Sequence, residues 1–161
     1  MSADNPFGKV VGHWEAVVED MEETATQYRN AGWETVELHP GDVTVVPADH
    51  EQFGIVAIAP DDEFAALLDI VEGRTFDSYE VYRGDTEGVV FLLVVVEADA
   101  ADAAVFLPAY YERTESGEGE LRKHEGVLHT RVRNLQGDEI VEFTHENPEP
   151  FFPDERFDAE E

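Results

Sequence analysis

Apolar residues near the start of the chain recur every three or four positions: Trp14, Val17, Val18, Met21, Ala25 and Tyr28 fall on one stripe. Glu15, Glu19, Asp20, Glu22 and Glu23 fall mainly on the opposite side, and Gly32 stands where a left-handed stop is needed. The pattern predicts a helix over Gly12–Gly32. Alternation then takes over. Glu34–Leu38 and Val43–Val46 read as strands around a turn at His39–Asp42, and Phe53–Ala59 as a third strand. Asp61 is placed to cap a second helix that turns Phe64, Leu67, Leu68 and Val71 inward and ends at Gly73.

Further along, Tyr79–Arg83 and Val89–Glu97 read as strands joined by Gly84–Gly88. The run from Val89 to Val96 does not alternate at all, which predicts a central strand covered on both faces. Asp99 or Asp102 is expected to cap a third helix through Val105, Phe106 and Tyr110, kinked or restarted at Pro108. Glu115–Glu120 reads as a flexible loop. Leu121–Arg133 and Glu139–His145 then form a hairpin across Asn134–Asp138. The expected order is α-β-β-β-α-β-β-α-β-β: an α+β fold with a mainly antiparallel sheet and three helices. A single domain is expected over residues 7–146, followed by a tail over residues 147–161. In that tail Pro148, Pro150 and Pro153 alternate with Phe151, Phe152 and Phe157 among acids.

Composition changes the picture in two ways. With 161 residues the chain is long enough to bury a core without covalent staples, and the absence of cysteine excludes disulfides, thiolate nucleophiles and cysteine-bound metals. Acidic residues number 38 against 10 basic ones, a formal charge of −28. Such a shell repels itself at ordinary ionic strength, whereas molar salt shortens the screening length to ~3 Å. The acids are dispersed among apolar residues, and lysine is nearly absent beside arginine. Together these point to a protein built for concentrated salt. A nucleic-acid mimic, the alternative reading of the acidity, calls for rows of carboxylates at phosphate-like spacing, and no such block is present. Nor is there a calcium-loop motif. Direct binding to nucleic acid or to an anionic membrane is disfavoured by charge. No apolar run approaches the ~20 residues of a membrane span, and the first residues carry no basic or apolar leader, so a cytoplasmic location is expected.

Motifs for catalysis are sparse. No nucleophile elbow, phosphate-binding loop or paired-histidine spacing occurs, so no catalytic residue and no cofactor is assigned. Against the acidic background, Arg122, Lys123, Arg131 and Arg133 cluster in the last hairpin with His124 and His129. Strand alternation places Lys123, His129, Arg131 and Arg133 on one face with Leu121 and Val127. Either this face binds an anion or an acidic peptide, or its arginines pair internally with Glu139, Glu142 and acids of a neighbouring strand. Phe151 and Phe152 in the tail are candidate anchors for a partner, for a second copy of the chain, or for the chain's own core. The reading is a non-enzymatic binding or adaptor module that contacts a protein partner or itself. An alternative is a small metal-dependent enzyme using His129, His145 and a local carboxylate.

The stretches Ala31–Thr44, Phe76–Arg83 and Thr144–Phe152 resemble a family of small acidic proteins from halophilic archaea. The resemblance spans most of the chain and implies salt adaptation and a cytoplasmic setting. It brings no activity, cofactor or site residue. In element order alone, the expected fold also resembles that of type III secretion chaperones, which implies partner binding and dimerisation only by analogy.

Overall fold

The computed structural model describes residues 6–86, 88–123 and 126–153, with side chains from His13 onward. Its elements are α1 (Pro6–Asn30), β1 (Glu34–Glu37), β2 (Asp42–Val46), β3 (Gly54–Ile58), α2 (Asp61–Val71), β4 (Ser78–Thr86), β5 (Val89–Ala98), β6 (Ala103–Glu112), β7 (Leu128–Arg133) and β8 (Ile140–His145). They form two four-stranded sheets, A in the order β1-β6-β5-β4 and B in the order β2-β3-β7-β8. The pairings β2–β3, β4–β5, β5–β6 and β7–β8 are antiparallel, and β1–β6 and β3–β7 are parallel. The domain is α+β.

Strand β5 explains the unalternating run, since every one of its residues is buried. Leu93 and Val95 face α1, where they form a cluster with Met21, Ala25, Ala104 and Phe106. Val90, Leu92, Val94 and Val96 face the other way, into a second cluster with Ile55, Ala57, Leu128, Val132 and Phe143 of sheet B and Phe64, Leu67 and Ile70 of α2. Sheet A is thus a middle layer between α1 and sheet B, and a strand in such a layer has no wet face to alternate toward. The one charged residue of β5, Glu97, lies on the α1 side, where Tyr28 donates a hydrogen bond to its carboxyl. Burial and the nearby Glu80 and Asp99 raise the pKa of Glu97.

Helix α1 ends as its sequence suggests. Gly32 adopts φ +95°, Trp33 N–H bonds the Tyr28 carbonyl at 3.0 Å, and Gly32 N–H bonds that of Arg29 at 3.0 Å. The Tyr28 and Trp33 rings meet edge-on at 5.2 Å, the apolar contact that accompanies this kind of stop.

Two local expectations are corrected. The segment expected as a third helix is strand β6, preceded by a 3-10 turn at Asp99–Ala101 and a left-handed Asp102 (φ 51°) that reverse the chain onto β5. Pro108 sits inside this strand, opposite Leu93. The Phe106 carbonyl accepts from Leu38 N–H on the β1 side, so the nitrogen of Pro108, two residues on, points to that same side, beyond the last β1–β6 pair at Glu37 and Phe106. No ladder bond to β5 is lost, and the proline is tolerated. The segment expected as a flexible loop is a π-helical turn, Glu115–Gly119, in which Gly117, Glu118 and Gly119 are buried. A Cβ on Gly117 would lie 2.3 Å from the Glu112 carbonyl oxygen, so only glycine fits there.

Candidate functional site: a groove between the first helix and an edge strand

The basic residues of the last hairpin do not form one face. Arg122 and Lys123 lie in a helical turn before β7. There Lys123 Nζ pairs with Glu120 at 2.9 Å, and Arg122 Nε pairs with the fully buried Glu118 at 2.7 Å. Arg113 pairs with the same carboxylate at 2.7 Å. Burial opposes ionisation of Glu118, but the two guanidiniums outweigh it and hold its pKa below the ordinary value. Only His129, Arg131 and Arg133 share the outer face of sheet B, as register with Thr144, Glu142 and Ile140 requires. Arg131 is committed to Glu142 at 2.5 Å and to the Phe53 carbonyl. His124 lies outside the described residues.

Phe151 and Phe152 are buried in the chain's own core, 0% and 5% exposed, so neither is offered to a partner. Residues 147–153 are fastened along β4 and β6. Tyr79 Oη donates to the Asn147 carbonyl at 2.6 Å, Arg83 to that of Pro150 at 2.8 Å, and Tyr111 Oη to that of Phe151 at 2.6 Å. Arg122 donates to the Pro153 carbonyl at 3.1 Å and lies 4.6 Å over the Phe152 ring. This stretch belongs to the body of the domain.

The two histidines named for a metal site diverge. His129 is on the outer face of sheet B and His145 on the inner one. His145 is fully buried, its Nε2 2.9 Å from Thr130 Oγ1, its ring between Tyr79 (4.5 Å) and Phe151 (4.9 Å), and its Nδ1 without a partner. Burial, with a lesser contribution from His129, lowers its pKa to about 4. His39 behaves oppositely. It bridges Glu63 of α2 (2.7 Å) and Glu22 of α1 (3.2 Å), and although burial opposes the charge, these carboxylates raise its pKa.

A concavity of a different kind lies elsewhere. Helix α1 makes most of its sheet contacts with β1, β6 and β5, and β4 lies at the edge beyond β5, largely exposed. A groove of about 510 Å³ runs there, with Phe91 and Leu93 of β5 at its base, His13, Val17 and Asp20 on the α1 wall, and Tyr82 and Gly84 on the β4 side. Gly84 faces Phe91 across the β4–β5 ladder, and a Cβ built on it meets nothing within 4 Å. Tyr82 is 48% exposed. His13 and Phe91 stack at 5.7 Å between ring centres.

A model of a family of unknown function, DUF7529, matches residues 3–153. The chain belongs to that family. No curated protein and no solved structure matches it. Among the described residues, no helix of this DUF7529 member is long and apolar enough to cross a membrane. Nor do the described residues gather three or more histidines and carboxylates able to hold a metal. In chemical terms the groove offers an apolar and aromatic base beneath the carboxylates of Asp20 and Glu23. The sequence pattern hides the groove because Gly84 reads as the start of a turn, whereas β4 continues through it to Thr86. A glycine inside a strand pattern is the signal that points to such a site.

Proposed function

We propose that this protein is a non-enzymatic binding module whose ligand site is the groove between α1 and β4. The ligand has an apolar or aromatic body of modest size and a cationic rather than an anionic group. The observation that carries the reading is Gly84. An interior strand position gives up side-chain packing and backbone entropy when it holds glycine, and here the space left free opens the groove over Phe91. Tyr82 and His13 flank that space, and Asp20, Glu23 and Asp85 outnumber Arg83 in its lining and set the sign of charge. The setting we propose is the cytoplasm of a salt-accumulating cell. Supporting it are the charge of −28 and the spread of exposed acids over both helices and both sheets, from Glu15 and Asp62 to Glu80 and Glu142.

The test is equilibrium binding of tetraphenylphosphonium and of tetraphenylborate, two bodies of one shape and opposite charge, in ~0.5–2 M NaCl. The cation is expected to bind the wild type measurably more tightly than the anion. Gly84→Phe, which fills the groove, is expected to abolish binding with the unfolding midpoint held. Unchanged binding in Gly84→Phe would overturn the groove as the site. Equal binding of the two ions would overturn the charge preference.

A further inference from the structure

Acids outnumber bases almost four to one, and internal partners are plentiful. Among the described residues, Arg29 pairs with Glu37, Arg74 with Glu34, Arg113 and Arg122 with Glu118, Lys123 with Glu120 and Arg131 with Glu142, while Arg83 holds the Pro150 carbonyl. Arg133 alone among these described cations makes no ion pair or hydrogen bond through its side chain, and its Nε is buried without an acceptor. Two carboxylates of the hairpin are committed elsewhere. Glu142 is taken by Arg131, and Asp138 accepts from Asn134 Nδ2 at 2.7 Å. The Asn134 side-chain oxygen fixes the turn by accepting from the backbone of Gly137, Asp138 and Glu139. Gly137 leaves room against the guanidinium, since a Cβ there would stand 2.9 Å from Nη2.

Apolar side chains flank this cation, next to the exposed Asp138 and Glu139 of the turn. Ile140 is the cross-strand neighbour of Arg133 on β8 and is 40% exposed, Ile58 is its neighbour on β3, and Leu135 in the adjoining turn is 62% exposed. A lone guanidinium that keeps an unsatisfied buried N–H loses free energy unless an acceptor reaches it. Its planar fork suits a carboxylate, and the exposed Ile140 and Leu135 suit the side chains on either side of one.

We infer that the turn end of the β7–β8 hairpin is a docking site for an acidic segment of a partner protein. Arg133 takes a carboxylate of that segment, and Leu135 and Ile140 take the apolar side chains flanking it. This surface is independent of the α1–β4 groove.

Fluorescence anisotropy with two labelled, C-terminally amidated hexapeptides tests it. One carries a central aspartate between leucine and phenylalanine, and the other carries asparagine in its place. On the wild type the aspartate peptide is expected to bind about tenfold tighter than the asparagine peptide, in line with a charge-assisted bond. Arg133→Gln is expected to erase that ratio, Arg133→Lys to restore part of it, and Ile140→Ser to weaken both peptides alike. Circular dichroism of each variant verifies the fold. Equal binding of the two peptides, no binding of either to the wild type, or an unchanged ratio in Arg133→Gln would each overturn the inference.

Discussion

Acidification is expected to destabilise this protein through His145. The imidazole is fully buried between Tyr79 and Phe151, bonded through Nε2 to Thr130, and its pKa is lowered to about 4. In the unfolded chain the same ring titrates near 6.5. Below that pH the unfolded state takes up a proton that the folded state refuses, so stability falls as pH falls. The contribution is complete above about pH 6.5 and lost by about pH 4. Moving the midpoint from 6.5 to about 4, at about 1.4 kcal/mol per pH unit, is worth about 3 kcal/mol. Many carboxylates titrate in the same window, so the quantity to measure is a difference. Urea unfolding in ~2 M KCl, followed by fluorescence of Trp14 and Trp33, would be run between about pH 7.5 and pH 4 on the wild type and on His145→Phe. The variant loses the Thr130 bond at every pH, but its stability relative to the wild type is expected to improve by about 3 kcal/mol on going to pH 4. A flat difference curve, or an NMR midpoint for His145 close to 6.5, would refute the reasoning.

Other perturbations follow from the same contacts. Glu118→Ala leaves Arg113 and Arg122 facing each other without their shared carboxylate, and is expected to cost about 3–5 kcal/mol in urea unfolding. Phe151→Ala removes a fully buried ring from beside His145 and should cost about 3–5 kcal/mol, read in the same way. Pro108→Ala should change stability by less than about 1 kcal/mol, because the nitrogen it restores points away from β5. A larger loss by urea titration would contradict that placement. Gly84→Val, which adds a β-branched side chain where a Cβ meets nothing, is expected to leave stability unchanged or slightly raised, measured as the thermal midpoint.

Much of this architecture is set by local pattern. The stripe on α1, its stop at Gly32, the extent of α2 and the two-sided burial of β5 follow from side-chain periodicity and from glycine's access to positive φ, which act within a few residues. The hairpin of β7 and β8 and the outward placement of His129, Arg131 and Arg133 follow from strand alternation in the same way. Tertiary structure decided what alternation alone leaves open. Ala103–Glu112 carries a spacing that serves a helix or a strand equally, and the partners β1 and β5 on either side make it a strand. Glu115–Gly119 looks like a mobile polar loop until Arg113 and Arg122 converge on Glu118 from residues before and after it. Phe151 and Phe152 become core residues because β4 and β6 present Tyr79, Arg83 and Tyr111 to the tail's carbonyls. The groove needs α1 and β4, which are distant in sequence, to lie side by side. That Glu142 goes to Arg131 and not to Arg133 is likewise visible only in the folded hairpin. Periodicity specifies which face of an element is buried. Which charges pair and which surface stays open are set by contacts between residues far apart in the chain, and these exist only once the sheets have packed.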